Sequence, residues 1–141
     1  MTEEVFDPIE IIGVDEDQVG VPRNDGTPGS ALYRVPIKLS RRPPAEWAEA
    51  FPEAWNHPPR FSTMHRRGIA SITGATIVLD GTTIEEVRDV HARTLALVVS
   101  QLNDAQREHN ARVQAETAKA AQQRTTHEAN IRDVANQIKF D

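Results

Sequence analysis

The chain has 141 residues, a hydrophobic fraction of 38%, a formal net charge of −5 and no cysteine. Without cysteine there are no disulfides and no thiolate metal sites, and no apolar run approaches the ~20 residues that cross a bilayer. The acidic N-terminus lacks the hydrophobic stretch of a signal peptide, so we expect a soluble cytoplasmic protein. The length predicts one domain with an extension.

The charge is distributed unevenly along the chain. Residues 1–30 have a net charge of −7, residues 31–68 of +4 and residues 69–141 of −2. Either the acidic and basic regions neutralise each other within the fold, or the basic residues form a face for an anionic partner. The candidate residues for contact with an anion or nucleic acid are Lys38, Arg41, Arg42, Arg60, Arg66 and Arg67.

Two runs of β-branched and alternating residues predict the first two strands. Residues 9–14 are rich in isoleucine, and residues 32–39 alternate apolar and polar side chains. Pro36 lacks a backbone N–H donor, so we expect the second strand to lie at a sheet edge or to carry a bulge. The acidic turn at residues 15–17 fails the calcium-loop pattern and reads as an exposed turn.

A short helix and a hairpin follow. Trp47, Phe51 and Trp55 lie four residues apart, so they form one aromatic stripe. The stripe predicts core packing, with an aromatic platform for a base or peptide as the alternative. Pro52 is expected to kink or split this helix. Residues 68–81 then predict a tight hairpin with its turn at residues 73–74.

The stretch from Thr82 to about Arg124 contains no glycine and no proline and predicts one long helix. Thr82 and Thr83 each precede a glutamate by three residues, which is the capping-box spacing. Apolar residues recur as far as Leu102, whereas residues 103–130 are mostly Ala, Gln, Asn, Arg and Glu. A second capping box at Thr125 leaves open whether a last helix restarts there.

This order of elements predicts an α+β fold. We expect a small four-stranded antiparallel sheet in ββα-ββα order, with a long C-terminal helix projecting from it. Residues 1–105 are predicted to form an α+β head domain that includes the first half of the long helix. Residues 106–141 are predicted to form a helical arm.

The sequence contains no recognisable catalytic, cofactor or metal motif. No two of the five histidines are three or four residues apart, so no helix presents a ready pair of metal ligands. His91 is expected to be a satisfied core histidine. No glycine-rich loop matches a phosphate-binding or dinucleotide-binding pattern. We therefore assign no catalytic residues, no metal ligands and no cofactor, and keep a small enzyme without a recognisable motif as one alternative.

The leading functional hypothesis is a non-enzymatic assembly or adaptor protein. The long helix carries more apolar residues than one sheet face can bury, which favours a homodimer or a contact with another protein, such as a coiled coil. The alternative for the polar half of this helix is a solvated arm. A nucleic-acid-binding module that uses the basic region 38–67 is the second hypothesis, and no membrane partner is expected. The candidate interface residues are Val90, Leu97, Val99, Val113, Ile131, Val134 and Ile138.

Overall fold

The structure, a computed structural model, describes residues 6–140, so residues 1–5 and 141 of the two predicted domains lie outside it. The sheet consists of β1 (Ile11–Val14), β2 (Tyr33–Leu39), β3 (Ala70–Thr73) and β4 (Thr76–Thr82), and a 3-10 turn (Glu16–Gln18) follows β1. The helices are α1 (Ala45–Asn56), α2 (Ile84–Glu86) and α3 (Ala92–Gln137), with a π-helical turn (Val87–His91) between the last two. The predicted α+β fold with a four-stranded antiparallel sheet and a long C-terminal helix is confirmed.

The strands lie in the order β1-β2-β4-β3, and every neighbouring pair is antiparallel. β2 is therefore an interior strand, and the expectation that Pro36 marks an edge is wrong. The irregularities of strand pairing lie between Ile11 and Gly13 and between Tyr33 and Arg34, not at the proline. The carbonyl of Pro36 accepts from Asp15 N, one residue beyond the end of β1. The missing N–H of Pro36 faces the same side, where the β1 ladder has already ended, so the proline removes no hydrogen bond from the paired part of β1.

A two-residue turn joins β3 to β4. Thr73 pairs with Thr76, which leaves Gly74 and Ala75 in the turn, one residue later than the sequence predicted. Gly74 has a φ of 59°, in the left-handed region that glycine reaches without steric cost. The position of this glycine therefore sets the register of the hairpin.

Helix α1 is continuous through Pro52, so this proline does not split the helix. Trp47, Phe51 and Trp55 are each at most 1% exposed, and the rings of Trp47 and Phe51 stack with centroids 5.9 Å apart. Burying a large side chain of this kind is worth ~1.5–3 kcal/mol, so three anchors along one face outweigh one lost helical hydrogen bond. The core-packing interpretation of the aromatic stripe is confirmed, and both tryptophans are inaccessible to a stacking base.

One hydrophobic core unites the sheet with the two main helices. Its strand residues are alternate positions of β2 and β4, which point to the same face of the sheet. The first turns of α3 add a buried stripe at spacings of three and four residues. Apart from the α1 aromatics, the core members are Ile9, Val35, Ile37, Leu39, Ile77, Leu79, Val87, Leu95, Val98, Val99 and Leu102.

Helix α3 continues without a break through Thr125, so the second capping box does not restart a helix. The Thr125 hydroxyl instead donates to Ala121 O on the preceding turn, at 3.0 Å. Contacts within the chain separate it into two compact units at Gln106 and Arg107. We call residues 6–106 the N-terminal unit and residues 107–140 the C-terminal unit.

Candidate functional site

A turn of π-helix lies between the sheet and α3. Thr83 caps the start of α2, because its Oγ1 accepts from Glu86 N at 3.1 Å. The next five residues then form the π turn, in which Ala92 N donates to Val87 O. Such turns are rare in proteins, but many of those that occur lie at functional sites. The wider turn changes the direction of the side chains that follow it. Here it places both Val87 and His91 in the interior.

Glu86 accepts an unusually complete set of hydrogen bonds. Arg66 donates through Nε and Nη2 to the two carboxylate oxygens, each at 2.7 Å. Thr82 Oγ1 donates to Glu86 Oε1 at 2.6 Å. Arg66 follows α1 in the chain and Thr82 ends β4, so this carboxylate joins three separate parts of the N-terminal unit.

These donors change the acidity of both charged partners. The hydrogen bonds from Arg66, with help from Thr82 and from the charge of Arg66, lower the pKa of Glu86 to about 2, although burial opposes the shift. The same hydrogen bonds raise the pKa of Arg66. Glu86 therefore remains ionised throughout the neutral and mildly acidic range.

His91 lies beside this carboxylate with 0% of its surface exposed. Its Nε2 is 3.6 Å from Glu86 Oε1, too long for a hydrogen bond, and neither ring nitrogen has a hydrogen-bond partner among the described residues. Burial lowers the pKa of His91, with Glu86 opposing the shift and His65 and Arg66 adding to it. The expectation of a satisfied core histidine is right about burial and wrong about hydrogen bonding.

His65 and Trp55 complete the surroundings of His91. His65 Nε2 lies 2.8 Å from Trp55 O, which only accepts, so Nε2 carries the proton and Nδ1 is left buried without a partner. The ring of His91 is 5.4 Å from that of Trp55 and 6.1 Å from that of His65, both edge-on. We call Trp55, His65, Arg66, Glu86 and His91 the His91 cluster.

One local pattern in the sequence indicated part of this cluster. Thr82 and Thr83 offered overlapping capping boxes, and the structure uses Thr83 as the cap while Thr82 binds the Glu86 carboxylate. Arg66 was predicted to contact an anion of a partner, and in the structure it binds the carboxylate of Glu86. The π turn has no signature in the sequence, so the approach of His65 to His91 was not foreseen.

A second buried polar group, the side chain of Asn103 in α3, binds the backbone of Ile9. Its Oδ1 accepts from Ile9 N at 3.0 Å and from Trp47 Nε1 at 3.1 Å. Its Nδ2 donates to Ile9 O at 2.9 Å. One amide thus satisfies three otherwise unpaired groups inside the N-terminal unit.

The structure disperses the six predicted anion contacts. Lys38 lies 4.0 Å from Asp15, and Arg41 donates to Asp7 O and lies over the Phe6 ring. Arg67 lies over the ring of exposed Phe61. Like these three, Arg66 has a partner within the chain, whereas Arg42 and Arg60 are exposed.

The seven candidate interface residues divide between the two units. In the N-terminal unit, Val99 belongs to the core, Val90 is half-buried, and Leu97 is 39% exposed. In the C-terminal unit, Val113 and Val134 are each 46% exposed, and Ile131 and Ile138 are each 53% exposed. The exposed candidates therefore lie mainly in the C-terminal unit.

Compared with known proteins, the chain matches no protein-family model, no curated protein and no solved structure. The functional argument therefore rests on the residues of this chain alone. Within residues 6–140, no three His, Asp or Glu side chains form a group able to hold a metal ion. None of the described helices is both long and apolar enough to cross a membrane.

Proposed function

We propose that the protein is a non-enzymatic assembly module whose C-terminal unit pairs with a second copy of itself. One observation carries the proposal. Helix α3 runs to Gln137, yet every residue from 111 to 140 is exposed. Most helices in proteins are stabilised by burying one face rather than by intrinsic propensity. A partner helix supplies that buried face.

Three of the four exposed aliphatic side chains of this unit lie on one side of the helix, and the fourth, Ile138, lies one residue beyond its end. Val113 and Ile131 are eighteen residues apart, which is ~5 full turns at ~3.6 residues per turn. Val134 follows Ile131 at the spacing of three residues that keeps side chains on a common face. Ile138 comes four residues later, in the turn just after the helix, where its N donates to Ala135 O at 3.2 Å. The C-terminal unit therefore has an apolar stripe, which we define as Val113, Ile131, Val134 and Ile138.

The small and polar residues inside the stripe favour one orientation of two copies. Between Val113 and Ile131, the same side carries Thr117, Ala120 and Arg124. In a parallel pair in register, each side chain meets its own counterpart, so the two copies of Arg124 repel each other. An antiparallel pair places Arg124 opposite Ala120 of the second copy, which offsets the two Arg124 side chains by about 6 Å along the helix axis and weakens this repulsion.

Full antiparallel overlap of the helical part also aligns the apolar residues. Val113 lies six residues after Arg107, where the unit begins, and Ile131 lies six residues before Gln137, where the helix ends. Overlap of residues 107–137 with themselves therefore sets Val113 level with Ile131 of the second copy, twice by symmetry. The segment has five basic and four acidic residues, so its net charge of +1 does not keep the copies apart.

The absence of cysteine allows a direct test of pairing and orientation. Light scattering on the purified protein is expected to give a dimer at micromolar concentrations. The variants Val113→Cys and Ile131→Cys, mixed and mildly oxidised, are expected to form a mixed disulfide dimer. Each variant alone is expected to cross-link weakly, because a parallel pair is needed to bring identical positions together.

Two variants separate this interface from other surfaces. Ile131→Glu places a charge in the apolar stripe and is expected to give a monomer. Leu97→Glu is the matched control in the N-terminal unit, at a partly exposed apolar position, and is expected to leave the dimer intact. A monomeric wild-type protein contradicts self-pairing, whereas a dimer lost only in Leu97→Glu places the contact in the N-terminal unit.

A further inference from the structure

The segment between α1 and β3, residues 57–69, is held in place chiefly by side chains. Its middle is open to solvent, with Phe61 57% and Met64 59% exposed. Near the end of the segment, Trp55 Nε1 donates to Arg66 O at 2.8 Å, and the Arg66 side chain donates to the Glu86 carboxylate. The Arg66–Glu86 pair is the tie between this segment and the start of the helical region after β4.

We propose that the His91 cluster is an acid-operated latch on residues 57–69, closed while His91 is neutral and released when His91 takes up a proton. The argument begins with the surroundings of His91. Glu86 faces it from its own helical region, His65 and Arg66 face it from the segment, and the uncharged Trp55 faces it from α1.

A proton on His91 has no adequate partner in the closed state. The ring is fully buried, and its nitrogens meet no acceptor within hydrogen-bond distance. The nearest carboxylate, Glu86, already accepts two hydrogen bonds from Arg66 and one from Thr82. A charged imidazole gains an acceptor either by moving onto Glu86 Oε1, where it competes with Arg66 and Thr82, or by reaching water. Either rearrangement loosens the tie between the segment and the helix.

The direction of the pH effect follows from the two ionisations. Because burial lowers the pKa of His91 in the closed state, the open state binds the proton more readily. Opening is therefore suppressed above the ordinary histidine pKa of ~6.5 and increases as the pH falls below it. Glu86 stays ionised over this range because its pKa is about 2, so loss of its charge is not the trigger.

Hydrogen exchange on the full chain at pH 7.5 and pH 5.5 tests the latch. After correction for intrinsic exchange rates, amides in residues 57–69 are expected to open about tenfold more for each pH unit through the linked range. The amides of β2 and β4 are expected to change little. His91→Leu is expected to abolish the pH dependence, and it leaves no hydrogen bond broken because the ring makes none. His127→Leu, at an exposed position in α3, is the matched control and is expected to keep the dependence.

A titration of the wild-type protein followed by imidazole NMR gives a second measurement that does not depend on a variant folding. The His91 ring is expected to titrate below the ordinary histidine range, together with changes at residues 57–69. His65→Gln removes a side chain that adds to the lowering of the His91 pKa, so it is expected to move the His91 transition to higher pH. Equal protection of residues 57–69 at both pH values, or an unchanged pH dependence in His91→Leu, would overturn the latch. So would a His91 ring that titrates normally while the segment stays closed.

Discussion

The two units treat polar and apolar side chains in opposite ways. In the N-terminal unit, polar groups such as Asn103 and Glu86 lie among core residues and bind several donors or acceptors. In the C-terminal unit, aliphatic residues such as Val113 and Ile131 lie at the surface. Tertiary burial therefore stabilises the first unit, whereas the second relies on helix propensity and, in the dimer that we propose, on a partner helix. The following predictions test this contrast.

The largest expected difference is between a core residue of α1 and a residue of the apolar stripe. Trp47→Ala is expected to lower the free energy of unfolding by about 3–5 kcal/mol, because Trp47 is 1% exposed and also donates to Asn103. Val113→Ala, measured at a concentration where the protein is monomeric, is expected to change it by less than about 0.5 kcal/mol. Urea unfolding measures both. Equal losses in the two variants would contradict the contrast.

A buried and an exposed asparagine give the next comparison. Asn103→Leu leaves Ile9 N, Ile9 O and Trp47 Nε1 without their partner, so a loss of about 3 kcal/mol is expected. Asn130→Leu makes the same chemical change at an exposed position of α3, and a change within about 0.5 kcal/mol is expected. Thermal and urea unfolding should rank them in this order. If Asn103→Leu leaves the free energy of unfolding unchanged, the hydrogen bonds of this amide do not stabilise the fold.

Glu86 predicts how stability responds to strong acid. Because its folded-state pKa is about 2 against an ordinary 4.5, its contribution is present above pH ~4.5 and is lost as the pH falls through 2. At pH 7, Glu86→Gln is expected to cost roughly 3 kcal/mol, because the shift from 4.5 to about 2 corresponds to ~3.5 kcal/mol at ~1.4 kcal/mol per pK unit and the partial exposure of Arg66 reduces this value. Glu85→Gln, at the exposed neighbouring position, is the control. Unfolding curves from pH 2 to pH 7 would contradict the assignment if both variants behave alike.

The smallest effect is expected from removing the C-terminal unit. A chain ending at Gln106 retains every core residue, so it is expected to keep one cooperative thermal transition within about 1 kcal/mol of the full chain. Differential scanning calorimetry at low concentration checks this. A molten or insoluble product would show that residues beyond Gln106 contribute to the first unit.

Sequence patterns predicted the elements whose signals are local. The alternation along β2, the aromatic spacing of α1 and the capping threonines before α2 each reflect a geometry of a few residues, and each was found. The predictions were wrong where contacts between residues far apart in the sequence determine the local structure. Pro36 lies inside the sheet because β1 ends beside it, and Pro52 lies inside α1 because three buried aromatics hold that helix.

The candidate site was less predictable than the fold for the same physical reason. Arg66 and Glu86 are twenty residues apart, and their pairing depends on how the hairpin between them folds. His91 is buried by the π turn, whose extra residue per turn is not encoded by a periodic pattern. The only local pattern that indicated this site is the capping-box spacing of Thr83 and Glu86.

The Asn103 contact with Ile9 also constrains the order of events during synthesis of the chain. The two residues are 94 positions apart, so the backbone around Ile9 leaves the ribosome long before its amide partner exists. Contacts of such high sequence separation form late because the intervening loop must close first. In the nascent chain, the backbone around Ile9 therefore lacks its contact with Asn103 until the first turns of α3 have been translated. A ribosome stalled before residue 103 should present that stretch to proteases, whereas the released chain should protect it.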